Sequence, residues 1–68
     1  MKLTINGQPQ DSASATLAQL MEHLGMKQDR VAVELNRSIV PRDQWATTDL
    51  AEGDQLEIVH FVGGGASA

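Results

Sequence analysis

Gln55-Leu56-Glu57-Ile58-Val59-His60-Phe61-Val62 is the most strongly β-prone run of the chain, and it stops abruptly at Gly63-Gly64-Gly65. Side chains alternate between the two sides of a strand, so Leu56 and Ile58 share one face while Glu57, Val59 and Phe61 share the other. The glycines lack a Cβ and cannot fill a core, but they can lie flat in a narrow slot on another protein. Glycines near a chain end are also the ordinary composition of a frayed terminus. The rest of the chain has to decide between a presented tail and a loose end.

The opening residues supply a second strand. Met1, Leu3 and Ile5 alternate with Lys2 and Thr4, the period of two expected of a half-buried strand. Asn6-Gly7 then matches a type I′ hairpin turn, in which both central residues need positive φ. The return strand, about Gln8 to Asp11, is polar and contains Pro9, which places it at a sheet edge. Thr16 with Gln19 fits a capping box. Leu17, Leu20, Met21 and Leu24 follow at helical spacing, so a helix is predicted over about 16–24 with one apolar stripe. Gly25 is placed to end it in the left-handed conformation.

Val31, Val33 and Leu35 mark a third strand, Asn36-Arg37-Ser38 a turn, and Ile39-Val40 a brief strand stopped by Pro41. Arg42 to Thr48 has no clean period and reads as a short helical turn, with Trp45 plugging one end of the core. Glu52-Gly53-Asp54 turns into the final strand. The order β-β-α-β-β-β offers one helix to cover one face of a mixed sheet. The first and last strands are apolar and free of proline, which puts them side by side at its centre. The expected fold is therefore α+β, a β-grasp. Residues 1–62 form the domain and 63–68 a flexible glycine-rich tail.

Composition narrows the function. Sixty-eight residues allow one small domain. The absence of cysteine removes disulfides, thiolate metal sites and thiol nucleophiles together. Nine acidic residues against five scattered basic ones give a net charge of −4, without the basic stripe that a nucleic-acid partner requires. No run is long or apolar enough for a membrane span. The expected location is the cytoplasm, and the natural complement is a basic protein surface. His23 and His60 lack a metal-ligand spacing, and no residue set forms an active site. Val59 and Phe61, bordered by Glu57, form an apolar patch beside the tail, which reads either as a docking surface or as ordinary exposed residues.

These residues together match a known pattern. Met1-Lys2-Leu3-Thr4-Ile5-Asn6-Gly7, Val31-Ala32-Val33-Glu34-Leu35-Asn36, Ile39-Val40-Pro41-Arg42 with Trp45, Glu52-Gly53-Asp54 and the run from Glu57 to Gly65 resemble the ThiS-type sulfur carriers of the ubiquitin-like β-grasp group. Molybdopterin-synthase small subunits usually carry a proline pair before the glycines, where this chain has His60-Phe61-Val62.

The resemblance implies a carrier that is not itself an enzyme and binds no cofactor. A ThiF-type adenylyltransferase, using ATP and magnesium, would activate the carboxylate of Gly65. Sulfur supplied through a cysteine desulfurase would convert it to a thiocarboxylate, and a ThiG-type thiazole synthase would receive that sulfur. Gly63 and Gly64 would thread the partners' channels, while Val59, Phe61, Val62 and Glu57 would form the docking surface. Ala66-Ser67-Ala68 follow Gly65, so Gly65 must be released by trimming before it can react. Otherwise the chain would be a non-catalytic β-grasp interaction module; a carrier for a molybdopterin-type pathway is the other alternative.

Overall fold

In a computed structural model describing residues 1–26 and 28–61, Asn6 and Gly7 take φ values of 51° and 81°. They join β1 (Lys2–Ile5) to β2 (Gln8–Asp11) as an antiparallel hairpin, as the Asn-Gly pair predicts. A second hairpin joins β3 (Val31–Leu35) to β4 (Ser38–Ile39). Its turn is built the same way, with Asn36 at φ 51° and Arg37 at φ 73°. Arginine replaces glycine at a position that costs an ordinary side chain roughly 1–2 kcal/mol.

β5 (Gln55–His60) lies between the two hairpins, giving the strand order β2-β1-β5-β3-β4. It runs parallel to β1 and antiparallel to β3. The polar β2 is an edge strand, as Pro9 requires. β4 begins and ends one residue earlier than the Ile39-Val40 strand expected from sequence, although the Val40 N–H still donates to the Val33 carbonyl at 2.9 Å. Pro41 has no N–H to continue the ladder, so pairing stops there.

One helix, α1 (Leu17–Leu24), covers the sheet with Leu17, Leu20 and Met21. Thr16 is its N-cap and accepts the Gln19 N–H at 3.2 Å. The Gln19 side chain, however, reaches back to the Ala15 N–H at 2.8 Å rather than to Thr16. The chain enters the helix through an isolated bridge between Thr16 and Asp49, which shifts the reciprocal half of the box by one residue. Gly25 closes the helix at φ 72° and donates to the Glu22 carbonyl.

The core collects Leu3 and Ile5 from β1, the α1 stripe, Val31, Val33, Leu50, Leu56, Ile58 and Trp45. Trp45 sits in a 3-10 helix, Arg42–Thr47. It is 2% exposed, and its indole N–H donates to the Val40 carbonyl at 2.9 Å. Trp45 thereby ties the segment after β4 to the core. The architecture is the expected α+β β-grasp, a mixed five-stranded sheet covered on one face by one main helix.

Trp45→Ala is expected to cost about 3–5 kcal/mol. That is a large part of the roughly 3–10 kcal/mol available to a domain of this length. Trp45→Phe keeps most of the packing but leaves the Val40 carbonyl without its donor, costing about 1–2 kcal/mol. Urea titrations followed by far-UV circular dichroism measure both.

Candidate docking face and tail

β5 shows its two faces as the alternation predicts. Leu56 and Ile58 are buried beneath α1, while Glu57 and Val59 face the open side. Phe61 follows the strand and is 53% exposed; Val59 is 56% exposed. Ala32 and Glu34 of β3 stand opposite Val59 and Glu57. The open face gains one residue that the sequence reading did not include. Ile39 pairs opposite Glu34 and is 71% exposed. Its signal was available in the hairpin register, since a turn at Asn36-Arg37 fixes which β4 side chain stands beside Glu34.

The direction of β5 is set by two asparagines. At its entry, the Asn36 side-chain oxygen accepts the Gln55 N–H at 3.0 Å, and the Asn36 N–H donates to the Gln55 carbonyl at 2.7 Å. The other side chain atom of Asn36, Nδ2, donates to Asp54 at 3.0 Å. Farther along, β1 has ended at the hairpin turn, and Asn6 substitutes for the missing strand. Its side chain accepts the Ile58 N–H at 2.7 Å and donates to the Ile58 carbonyl at 3.2 Å. Past Ile58, the described pairing of β5 is with β3 and its approach. It runs through His60 opposite Val31 and the Phe61 N–H donating to the Arg30 carbonyl at 2.8 Å.

Glu52-Gly53-Asp54 anchors the turn before β5. The Lys2 N–H donates to Glu52 at 2.9 Å, and the Gly53 N–H donates to the Lys2 carbonyl at 2.8 Å. Asp54 accepts the Ala51 N–H at 2.7 Å. These acids therefore hold the turn that feeds β5.

Glu57, Val59 and Phe61 are thus brought together on one face. Val62, Gly63, Gly64 and Gly65 lie outside the described residues. Among the described residues, no group of three or more His, Asp or Glu side chains is arranged to hold a metal ion. No described helix is long and apolar enough to cross a membrane. A shallow depression of about 420 Å³ lies between α1 and the segment that leads into it, lined by Ala13, Ser14, Gln19, Glu22 and His23.

The model of the ThiS family matches residues 3–65, from β1 through the third glycine. The chain belongs to the ThiS family. It is 36% identical to the sulfur carrier protein ThiS of Escherichia coli over 66 residues, covering 96% of this chain and 100% of that protein. It is 48% identical to a thiazole synthase of Paramagnetospirillum magneticum over 67 residues. That match takes in 97% of this chain but 21% of the synthase, so the chain spans about a fifth of that relative's length. A crystal structure of the thiamine biosynthesis protein ThiS from Geobacter metallireducens superimposes with a TM-score of 0.81 at 35% identity. The superposition covers 96% of this chain and 100% of that one.

Asn6→Gly tests the clamp on β5 without straining the turn, because glycine accepts the positive φ at residue 6. Losing both bonds to Ile58 is expected to cost about 1–3 kcal/mol. Hydrogen exchange should accelerate at the Ile58 amide more than at Val33 in the core.

Proposed function

We propose that this chain is a sulfur carrier for thiazole formation in thiamin biosynthesis, acting as a protein co-substrate rather than as an enzyme. The observation that carries the reading is the ThiS family match, which takes in both the sheet and the glycines through Gly65. The sulfur carrier and thiazole synthase names of its relatives support it. The reading places the carrier in the cytoplasm, with residues 63–68 as its tail.

The chain contains no cysteine, so sulfur must travel on a carboxyl group. A carboxylate is a poor electrophile and has to be activated first. In the proposed sequence, a carboxylate oxygen of Gly65 attacks the α-phosphorus of ATP on a ThiF-type, magnesium-dependent enzyme, and pyrophosphate leaves. A persulfide supplied through a cysteine desulfurase then attacks the acyl carbon and AMP leaves. Reductive cleavage of the resulting acyl disulfide by a thiol leaves the thiocarboxylate for a ThiG-type thiazole synthase. Each step requires a free carboxyl at Gly65, whereas Gly65 is here joined to Ala66. Cleavage of that bond has to come first.

Docking follows from reach. Four extended residues, Val62 to Gly65, span only roughly 13 Å. The body must therefore sit close to each partner's active site, and Glu57, Val59 and Phe61 are the surface nearest the tail's origin.

A protein ending at Gly65, incubated with the adenylating enzyme, magnesium-ATP and a sulfur source, should gain the mass of an oxygen-to-sulfur exchange. The form ending at Ala68 should not. No gain in the Gly65 form overturns the reading. Phe61→Ala should weaken binding to the adenylating enzyme by at least about 1 kcal/mol, measured by calorimetry, while the melting temperature stays close to that of the parent.

A further inference from the structure

The open face carries an electrostatic conflict. Glu34 of β3 and Glu57 of β5 stand directly opposite one another, and both are exposed. Like charges at opposed positions of an antiparallel pair destabilise the sheet. Nothing in the fold requires acids there, since neither side chain is buried or caps a backbone group among the described hydrogen bonds. The ion pair among the described residues, Lys2 with Asp11, belongs to the β1–β2 hairpin and does not offset this repulsion.

Their neighbours show what such a pair is suited to meet. Ile39 lies beside Glu34 on the β4 side, and the Ala32–Val59 pair is the next same-face row toward Phe61. The two carboxylates are therefore set between apolar surface on both sides. A partner that covered only the apolar residues would desolvate two unpaired negative charges, at a substantial penalty. A cation placed between them removes both the penalty and the repulsion. Arginine suits the position better than lysine. Its planar fork can donate to two carboxylates at once, and its weaker hydration makes it easier to bring into an interface. The net charge of −4 favours the same sign of partner.

We infer that the adenylating enzyme seats an arginine between Glu34 and Glu57, with apolar side chains covering Ile39 on one flank and Val59 with Phe61 on the other. The inference rests on the docking role given above to this face and adds the charge chemistry of the partner. Glu34 and Glu57 then act as specificity residues that reject neutral and acidic surfaces.

The test compares the chain ending at Gly65 with its Glu34→Gln/Glu57→Gln and Phe61→Ala variants, titrated against the adenylating enzyme at low and high salt. The double glutamine variant should melt at the same temperature as the parent or higher, because the repulsion is gone. Its Kd should nevertheless rise by roughly tenfold or more at low salt, and binding should lose much of its salt dependence. Adenylation should show a raised KM for the carrier and an unchanged kcat. A double variant that binds like the parent while Phe61→Ala binds weakly overturns the arginine and leaves the docking face standing. Parental binding by both variants overturns the docking face as well. Weakened binding accompanied by a lowered melting temperature also overturns the inference, since the acids would then be supporting the fold.

Discussion

Everything in this molecule depends on β5 being held between strands that run in different directions. β1 reaches it in parallel for two residue pairs, Thr4 with Gln55 and Ile5 with Leu56, and then turns away. β3 accompanies it from Leu56 to His60. A strand of this kind would be left one-sided halfway along, with polar backbone groups exposed beside the core. Two asparagines in left-handed turns solve this from opposite sides, Asn36 at Gln55 and Asn6 at Ile58. The same residue type forms each hairpin turn and satisfies the central strand. Those two requirements explain why asparagine rather than glycine stands at both first turn positions.

Burial on α1's side follows from this. With β5 fixed, Leu56 and Ile58 join Leu3, Ile5 and the helix stripe, and Trp45 closes the remaining opening. The outer side is left with Glu57, Val59 and the Phe61 that leads toward the glycines. Core and proposed docking surface are thus opposite faces of one strand. A one-residue register slip would exchange them and abolish both.

Much of this arrangement could be read from sequence because it rests on local chemistry. Asn6-Gly7 specifies its turn through positive φ, the Leu17-Leu20-Met21 spacing specifies a helix face, and Pro9 specifies an edge. The parts that escaped depend on contacts distant in the chain. Nothing near Asn6 reveals that its side chain reaches Ile58, 52 positions on. Gln19 has the capping-box spacing from Thr16, but its side chain accepts from Ala15, beside a bridge between Thr16 and Asp49 that no local spacing announces. Ile39 is legible as a strand residue but not as a neighbour of Glu34, because its place on the face is set by the hairpin register rather than by its own surroundings. Glu57, Val59 and Phe61 were legible as a set because strand alternation alone puts them on one side. The role proposed for Gly65 rests on family resemblance alone, since a glycine has no side chain through which to declare a role.

The two outer strands have a consequence for how the protein behaves in a crowd. β2 is polar throughout and contains Pro9, while β4 is two residues long. Neither offers the long apolar template on which copies of a sheet protein stack into fibres. Growth in one dimension is thereby blocked at both ends of the strand order. The apolar face formed by Ile39, Val59 and Phe61 can then stay uncovered without seeding edge-to-edge assembly. In the proposed role, such a body would act as a monovalent ligand, occupying one enzyme at a time and leaving it before meeting the next.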